Sequence, residues 1–265
     1  MSRLQAAFAR LRQNGSRGLV TYVTAGDPDL SQSREVIRAL ARGGADVIEV
    51  GVPFSDPIAD GPAIQRASER ALAAGADLAA SLQLIEQIRA EVPVPLVLFT
   101  YVNPVLRMGV DNFVSRSATA GVDGVLLLDL PIEESVAVQR ALEGHGVDQI
   151  FLVSPTTTEA RLREAARLGR GFLYAISRLG VTGTRPSVAA SAAPLVQRIR
   201  AVSDLPIALG FGVSRPEHVA EITTFADAAV VGSAIVEVIG EAAAAGRSPA
   251  SEVESFVRWL KSEGK

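Results

Sequence analysis

Glu49 and Asp60 are the residues whose types and spacing most directly suggest chemistry. Glu49 lies in an apolar, strand-like run at 46–52, where burial of a carboxyl is costly unless a partner or its protonation is used. Asp60 follows in the loop 53–62, which reads PFSDPIADGP. The prolines fix backbone φ angles and the aspartates favour turns, so the loop has a defined shape. We interpret these two acids as one active site.

Side-chain alternation predicts where Glu49 points. In a strand over 46–52 the face opposite Glu49 carries the β-branched residues Ile48, Val50 and Val52, which suit a helix layer. Glu49 should therefore face an apolar lumen, where burial raises its pKa and lets it give and take a proton near neutral pH. The alternative is a structural buried acid. Asp60 is less determined, because it could instead cap a helix that begins near Pro62.

The chain alternates between short apolar runs and stretches of helical periodicity. Turn residues bound the apolar runs, which predicts strands. The predicted strands are 18–24, 46–52, 95–101, 124–130, 149–154, 172–177, 206–210 and 228–232. The predicted helices between them are 33–42, 78–90, 111–120, 133–143, 159–168, 192–201 and 216–222.

This order predicts a (β/α)8 TIM barrel. Strands that are apolar on both faces and alternate with amphipathic helices form a parallel, helix-covered sheet, and eight such units suit closure. An open doubly wound sheet is disfavoured, since no glycine-rich dinucleotide turn follows the first strand. Extra amphipathic helices are expected at both ends, the first covering the barrel bottom. Their apolar positions are Leu4, Phe8 and Leu11, and Val253, Phe256, Val257 and Leu260. We expect one domain over 1–265.

Composition disfavours several classes of function. A net charge of −3 over 265 residues offers no broad attraction for nucleic acid or anionic lipid. There is no cysteine, and His145 and His218 lack metal-ligand spacing, so metal catalysis is not expected on this chain. No apolar run is long enough to span a membrane and the start lacks a signal-peptide core, which predicts a cytoplasmic protein.

A second constellation consists of small residues after the last three strands. Glycines leave backbone amides open to close approach, helix N-termini favour anions, and the last strands of such barrels often hold phosphate. Glycine at strand ends also serves tight turns, but two adjacent units of this kind favour a phosphate site. The residues are Gly183, Gly210, Phe211, Gly212, Gly232 and Ser233.

The run 177–187 is polar and long for a strand-to-helix connection, which indicates either a lid or a surface loop. As a lid, Thr182 and Gly183 would bond to residues such as Asp60 on closure and exclude water. Tyr174, in the preceding strand, either presents its hydroxyl to a substrate or is a core tyrosine.

Taken together, the segments 47–65, 101–104, 177–183, 210–214 and 231–234 closely resemble the tryptophan synthase alpha subunit family, in order along nearly the whole chain. The loop PFSDPIADGP is highly specific, whereas the glycine motifs occur in many phosphate-binding barrels. The resemblance implies a carbon–carbon lyase that reversibly cleaves indole-3-glycerol phosphate to indole and D-glyceraldehyde 3-phosphate. It also implies that indole passes to a beta subunit for L-tryptophan synthesis.

Residue roles follow from the same resemblance. Glu49 and Asp60 match the catalytic carboxylates, the first exchanging protons with the ring carbon and side-chain hydroxyl, the second stabilising the positive ring nitrogen. The implied phosphate contacts are Gly183, Phe211, Gly212, Gly232 and Ser233. The implied indole pocket is Tyr22, Ile64, Phe99, Leu126, Leu128, Leu152, Tyr174 and Thr182.

The resemblance further implies a partner. The loop 53–60 and the run from Arg178 onward resemble surfaces that meet a beta subunit in an alpha2-beta2 heterotetramer, with pyridoxal phosphate on the beta subunit alone. Tyr22 departs from the commoner pattern, in which phenylalanine is frequent, and brings a hydroxyl into or beside the indole pocket.

Three alternatives remain from sequence. A stand-alone lyase releasing free indole would share every catalytic residue and differ in its activity without a partner. A barrel kept mainly as an allosteric partner is disfavoured by the intact Glu49 and Asp60. Another phosphosugar enzyme, such as an isomerase, would match poorly with an apolar pocket.

Overall fold

Parallel strands close into a barrel at the centre of the molecule. The computed structural model describes residues 1–176, 188–210 and 212–262. Eight strands pair in chain order and the last pairs with the first, so the predicted (β/α)8 barrel is confirmed. The strands are β1 (Gly18–Thr24), β2 (Val47–Gly51), β3 (Leu96–Thr100), β4 (Gly124–Leu127), β5 (Asp148–Val153), β6 (Leu173–Ile176), β7 (Ile207–Gly210) and β8 (Ala228–Val231).

Helices surround this barrel. The first six are α1 (Arg3–Asn14), α2 (Leu30–Gly43), α3 (Pro62–Ala73), α4 (Leu78–Ile88), α5 (Val102–Met108) and α6 (Val110–Ala120). The others are α7 (Val136–Gly144), α8 (Glu159–Leu168), α9 (Val188–Arg200), α10 (Pro216–Ile222), α11 (Ser233–Ala244) and α12 (Pro249–Leu260). Among the described residues no helix is both long and apolar enough to cross a bilayer.

The helix prediction differs from the structure in a few places. The predicted helix 133–143 divides into a 3-10 turn at Ile132–Glu134 and the α-helix α7. The break falls at Ser135, whose hydroxyl donates to the carbonyl of Ile132 at 2.7 Å and competes with regular helical bonding. The short helix α5 and the apolar helix α11 were not among the predicted helices.

Alternation in β2 places Glu49 in the lumen, as predicted. Glu49 lies opposite Tyr22 of β1 and Val97 of β3 in the strand register, and Val47 and Val97 belong to the inner apolar cluster. The opposite face of β2 packs into the larger cluster between strands and helices. Its members from this segment are Ile48, Val50 and Val52.

The terminal helices close the barrel from outside. Leu4, Phe8 and Leu11 of α1 join the inner cluster, and the rings of Phe8 and Phe172 lie 5.4 Å apart, so α1 covers the bottom as predicted. At the other end of the chain, α12 packs against α2 and is fixed at Lys261, whose Nζ donates to a carboxylate oxygen of Asp46 at 2.8 Å.

Candidate active site

Glu49 is a fully buried acid in the middle of the barrel. Neither carboxyl oxygen has a hydrogen-bond partner among the described residues. Burial therefore raises the pKa of Glu49 from its ordinary value of 4.5 to about 8. At neutral pH this carboxyl is mostly protonated, and it can lose and regain its proton within the physiological range.

Asp60 occupies a different environment at the rim. Its helix-cap alternative is wrong, since Gly61 is the N-cap of α3 and no side-chain bond caps that helix. The Asp60 carboxylate instead accepts a hydrogen bond from the Tyr101 hydroxyl at 3.2 Å. Partial burial raises the pKa of Asp60 to about 6, while the Tyr101 bond acts in the opposite direction. Asp60 is therefore mostly ionised at neutral pH.

Tyr101 is a site residue that the sequence reasoning did not select. It follows β3, is buried, and its hydroxyl accepts from the backbone N–H of Ala59 at 3.1 Å while donating to Asp60. Its ring packs against Phe54, with centroids 4.9 Å apart. Burial raises the pKa of Tyr101 to about 12, although the hydrogen bond from Ala59 acts in the opposite direction. The hydroxyl therefore stays a neutral donor. An aromatic residue bearing a hydroxyl at the carboxyl end of a barrel strand was the signal available in the sequence.

A cavity of about 530 Å³ opens above Glu49 at this mouth. Nine predicted site residues line it: Tyr22, Glu49, Ile64, Phe99, Tyr174, Gly210, Gly212, Gly232 and Ser233. Five further lining residues were not predicted as site residues: Val213, Ser214, Val230, Ala234 and Glu237. Val213, Ser214, Val230 and Ala234 lie within two residues of predicted ones, at the ends of the last two strands, whereas Glu237 lies one turn into α11.

Four predicted residues lie outside this lining. Asp60 is at the rim beside Tyr101, and Leu126 is fully buried in the inner apolar cluster. Leu128 and Leu152 are partly buried and pack against that cluster. The predicted contacts Thr182, Gly183 and Phe211 are outside the described residues, as is the run 177–187.

Tyr22 and Gly51 fit together on the first two strands. The ring of Tyr22 meets that of Phe99 edge to face at 5.3 Å, and its hydroxyl lies 3.5 Å from the Thr24 hydroxyl. A Cβ atom on Gly51 would overlap the phenol of Tyr22. Burial, and after it the charge of Asp60, raise the pKa of Tyr22, so the phenol is neutral beside the acids. Glycine at position 51 thus makes room for an aromatic residue at position 22.

The far end of the cavity meets the N-terminus of α11. The N-cap of this helix is Gly232, which has no side chain to bond the first-turn amides, and Ser233 begins the helix with its side chain exposed. Gly212, in the neighbouring unit, adopts a φ of +68°, a conformation that favours glycine. No lysine or arginine is among the described residues lining the cavity. An anion here would be bound by amides, hydroxyls and the helix field.

The described residues contain no group of three or more His, Cys, Asp or Glu side chains arranged to hold an ion. The arrangement instead combines a mostly protonated acid, an ionised carboxylate, an apolar wall and an anion-compatible end.

Fold and site together define a (β/α)8-barrel enzyme with an acid–base pair at the carboxyl-terminal mouth. The sequence profile described as Tryptophan synthase alpha chain matches residues 8–264. The chain therefore belongs to the tryptophan synthase alpha chain family.

Individual relatives agree with this assignment. The tryptophan synthase alpha chain of Solibacter usitatus is 51% identical over 263 residues, covering 98% of this chain and 97% of the relative. The crystal structure of tryptophan synthase subunit alpha from Legionella pneumophila superposes with a TM-score of 0.91 at 34% identity, covering 99% of this chain and 98% of that one. A chain from aminoacrylate-bound tryptophan synthase of M. tuberculosis gives a TM-score of 0.88 at 38% identity, with 98% of each chain covered.

Proposed function

We propose that this chain cleaves indole-3-glycerol phosphate reversibly to indole and D-glyceraldehyde 3-phosphate, as a carbon–carbon lyase. The observation that carries the proposal is Glu49, a fully buried acid with a pKa of about 8 and no hydrogen-bond partner among the described residues, placed in the wall of a cavity that aromatic and aliphatic side chains line beside it. A retro-aldol cleavage of this substrate needs such a group, because one proton must reach the ring carbon and another must leave the neighbouring hydroxyl.

Glu49 performs both proton transfers. Its protonated carboxyl gives a proton to ring carbon C3 of the indole, and the resulting carboxylate takes the proton of the hydroxyl on the attached side-chain carbon. The carbon–carbon bond then breaks as that carbon becomes the aldehyde, and the bonding electrons return to the ring. Glu49 ends protonated again, so no external acid or base is consumed.

Asp60 stabilises the charge that forms between these transfers. Protonation at C3 leaves a positive charge on the ring nitrogen, and an ionised carboxylate stabilises it. Asp60, with a pKa of about 6, is in the required state at neutral pH. The hydrogen bond from Tyr101 holds the carboxylate at the rim, on the loop that leads into α3.

The two ends of the cavity match the two ends of the substrate. Aromatic and aliphatic side chains near Glu49 suit a flat indole, and the start of α11 suits a phosphate. We assign the indole side to Tyr22, Ile64, Phe99, Leu126, Leu128, Leu152, Tyr174 and Thr182. We assign the phosphate side to Gly183, Gly210, Phe211, Gly212, Gly232 and Ser233.

The proposal includes a partner. Large apolar side chains are exposed on the mouth side, Ile58 at 87% on the loop before α3 and Leu106 at 62% on α5. Such side chains on a face that carries the active site suit docking of a second protein. We assign that place to a tryptophan synthase beta subunit, in an alpha2-beta2 heterotetramer in which indole passes directly to pyridoxal phosphate on the beta subunit. This chain then needs no cofactor of its own, acts in the cytoplasm, and forms one domain over 1–265.

The test is a cleavage assay with the purified chain. Indole and glyceraldehyde 3-phosphate release from indole-3-glycerol phosphate is followed with and without a tryptophan synthase beta subunit. Slow turnover alone and strong activation by the beta subunit are expected. Fast turnover alone would indicate a stand-alone lyase, and no turnover in either condition would refute the proposed reaction.

A further inference from the structure

An ion pair with a buried carboxylate joins the segment after β1 to the helix that follows Asp60. Arg70 of α3 donates through Nε to Oδ1 of Asp27 at 2.7 Å and through Nη2 to Oδ2 at 2.9 Å. The Asp27 side chain has no exposed surface, while that of Arg70 is 34% exposed. Burial raises the pKa of Asp27 and the Arg70 guanidinium opposes that rise, so the carboxylate depends on its partner. Two parallel bonds fix both position and orientation.

The same guanidinium also contacts α11. A Cβ atom built on Gly240 would lie 3.2 Å from Nη2 of Arg70 and 3.4 Å from its Cζ, so the guanidinium passes directly over the glycine backbone. One turn nearer the mouth, Ala67 of α3 and Val236 of α11 form a small buried cluster with Tyr22. The two helices are therefore joined at two successive levels.

These contacts lie between the two functional ends of the site. Ile64, Ala67 and Arg70 follow one another at three-residue spacing along α3, which puts them on one face of that helix. Ile64 lines the cavity, and Asp60 precedes the first residue of α3. On the other helix, the proposed phosphate residue Ser233 begins α11, two turns before Gly240. Arg70 thus links the helix after Asp60 to the helix that begins at the proposed phosphate site.

We propose that Arg70 is a positioning residue. Its two hydrogen bonds to Asp27 and its packing against Gly240 hold α3, and with it Asp60, at the correct distance from the phosphate end of the cavity. This inference rests on the proposed function. Arg70 lies about 12 Å along the helix from Pro62, too far to touch the reacting atoms and close enough for a rigid helix to transmit its position. A small misplacement of a catalytic group is enough to reduce turnover strongly.

Lysine at position 70 is the first test, because it keeps the charge but cannot make two parallel bonds. Arg70→Lys is expected to lower kcat by at least about 10-fold while KM for indole-3-glycerol phosphate changes by less than about twofold. The matched control is Arg66→Lys, which alters an exposed arginine on the same helix and should leave both constants unchanged.

Gly240→Ala is a second test that does not touch the ion pair. Alanine in a helix interior is favoured over glycine, so a purely structural role predicts equal or greater stability and unchanged turnover. The positioning role predicts a kcat reduced by about threefold or more, since the added methyl fits only if the guanidinium, which Asp27 holds on its other side, shifts by a few tenths of an ångström. Gly144→Ala is the control, because that helical glycine has open space at its Cβ position.

A double-mutant cycle with Asp60→Asn separates positioning of Asp60 from general loosening. In the Asp60→Asn background, Arg70→Lys should lower kcat by less than about twofold, because the group that it positions is already lost. An equal loss in both backgrounds would overturn the inference. It would also fail if folded Arg70→Lys and Gly240→Ala proteins keep full turnover, or if only KM changes.

Failure of the inference and failure of the proposed function give different results. A parent chain that cleaves indole-3-glycerol phosphate beside variants of equal kcat contradicts only the role of Arg70. A parent chain without turnover, alone and with a beta subunit, contradicts the function itself. If Arg70→Lys does not fold, Gly240→Ala and its cycle with Asp60→Asn decide the matter.

Discussion

Replacing Glu49 by glutamine should stabilise the folded protein while abolishing cleavage. A carboxyl whose pKa is 4.5 in the unfolded chain and about 8 in the folded one takes up a proton on folding throughout that interval. The free energy of unfolding therefore falls as pH rises from 4.5 towards 8, by about 1.4 kcal/mol per unit from this group. Below 4.5 the Glu49 carboxyl is protonated in both states and contributes no slope.

The size of the effect follows from the difference between the two pKa values. Relative to its value near pH 4.5, the free energy of unfolding is lowered by ionisation of Glu49 in the unfolded chain. The reduction is about 3 kcal/mol at pH 7 and approaches about 5 kcal/mol above pH 8. Glutamine has nearly the same shape and no ionised form, so it keeps the burial without this penalty. The Glu49→Gln protein should equal the parent in stability near pH 4.5 and exceed it increasingly towards pH 8.

Urea unfolding followed by circular dichroism at several pH values between 5 and 8 measures this difference. Other titrating groups, including Asp60, affect both proteins alike and cancel when the two curves are subtracted. Parallel stability curves would show that Glu49 does not carry a raised pKa. Cleavage by the Glu49→Gln protein at near-normal rate would remove Glu49 from the mechanism even if the stability difference is found.

Three further changes test the rim and the lumen. Asp60→Asn should lower kcat by about 100-fold with KM for indole-3-glycerol phosphate nearly unchanged, and loss of both turnover and binding would indicate a structural role instead. Tyr101→Phe removes a hydrogen-bond donor that lowers the pKa of Asp60. The acid limb of the profile of kcat against pH, near 6 in the parent, should therefore move to higher pH. A limb that stays in place or moves to lower pH contradicts the hydrogen bond. Gly51→Ala should lower the thermal midpoint and turnover, because the added methyl overlaps the Tyr22 phenol. Adding Tyr22→Ala should restore part of the lost stability. Equal midpoints for Gly51→Ala and the parent would show that the phenol can move aside.

The barrel and the position of Glu49 could be predicted because both depend on short-range periodicity. Alternation over the five residues of β2 decides which of its side chains face the lumen and which face the helices. A shift of this alternation by one residue would have put Glu49 in the helix layer. The glycine-rich ends of β7 and β8 were likewise readable, since the barrel topology brings consecutive strand ends together.

The environment of Asp60 could not be predicted in the same way. Its partner Tyr101 is 41 residues further along the chain, and their contact depends on how the loop before α3 folds back over the end of β3. The links of Arg70 to Asp27 and Gly240 depend on where three elements pack, which periodicity within each of them does not fix. For the same reason the role of Asp60 was taken from the family resemblance and not from its contacts.

The proposed chemistry depends on the difference between two carboxyls at one mouth. Glu49 has burial without a hydrogen-bond donor among the described residues, while Asp60 has partial burial and the Tyr101 hydroxyl, and their pKa values separate to about 8 and about 6. Between those values Glu49 is mainly protonated and Asp60 mainly ionised. Protonation of an indole ring and stabilisation of its cation require this combination. The neutral phenol of Tyr22, on β1 opposite Glu49 in the strand register, adds no charge to that pair. An equal environment for both acids would give either two protonated groups or two charges, and neither state supplies both the proton for the ring and the carboxylate for its cation.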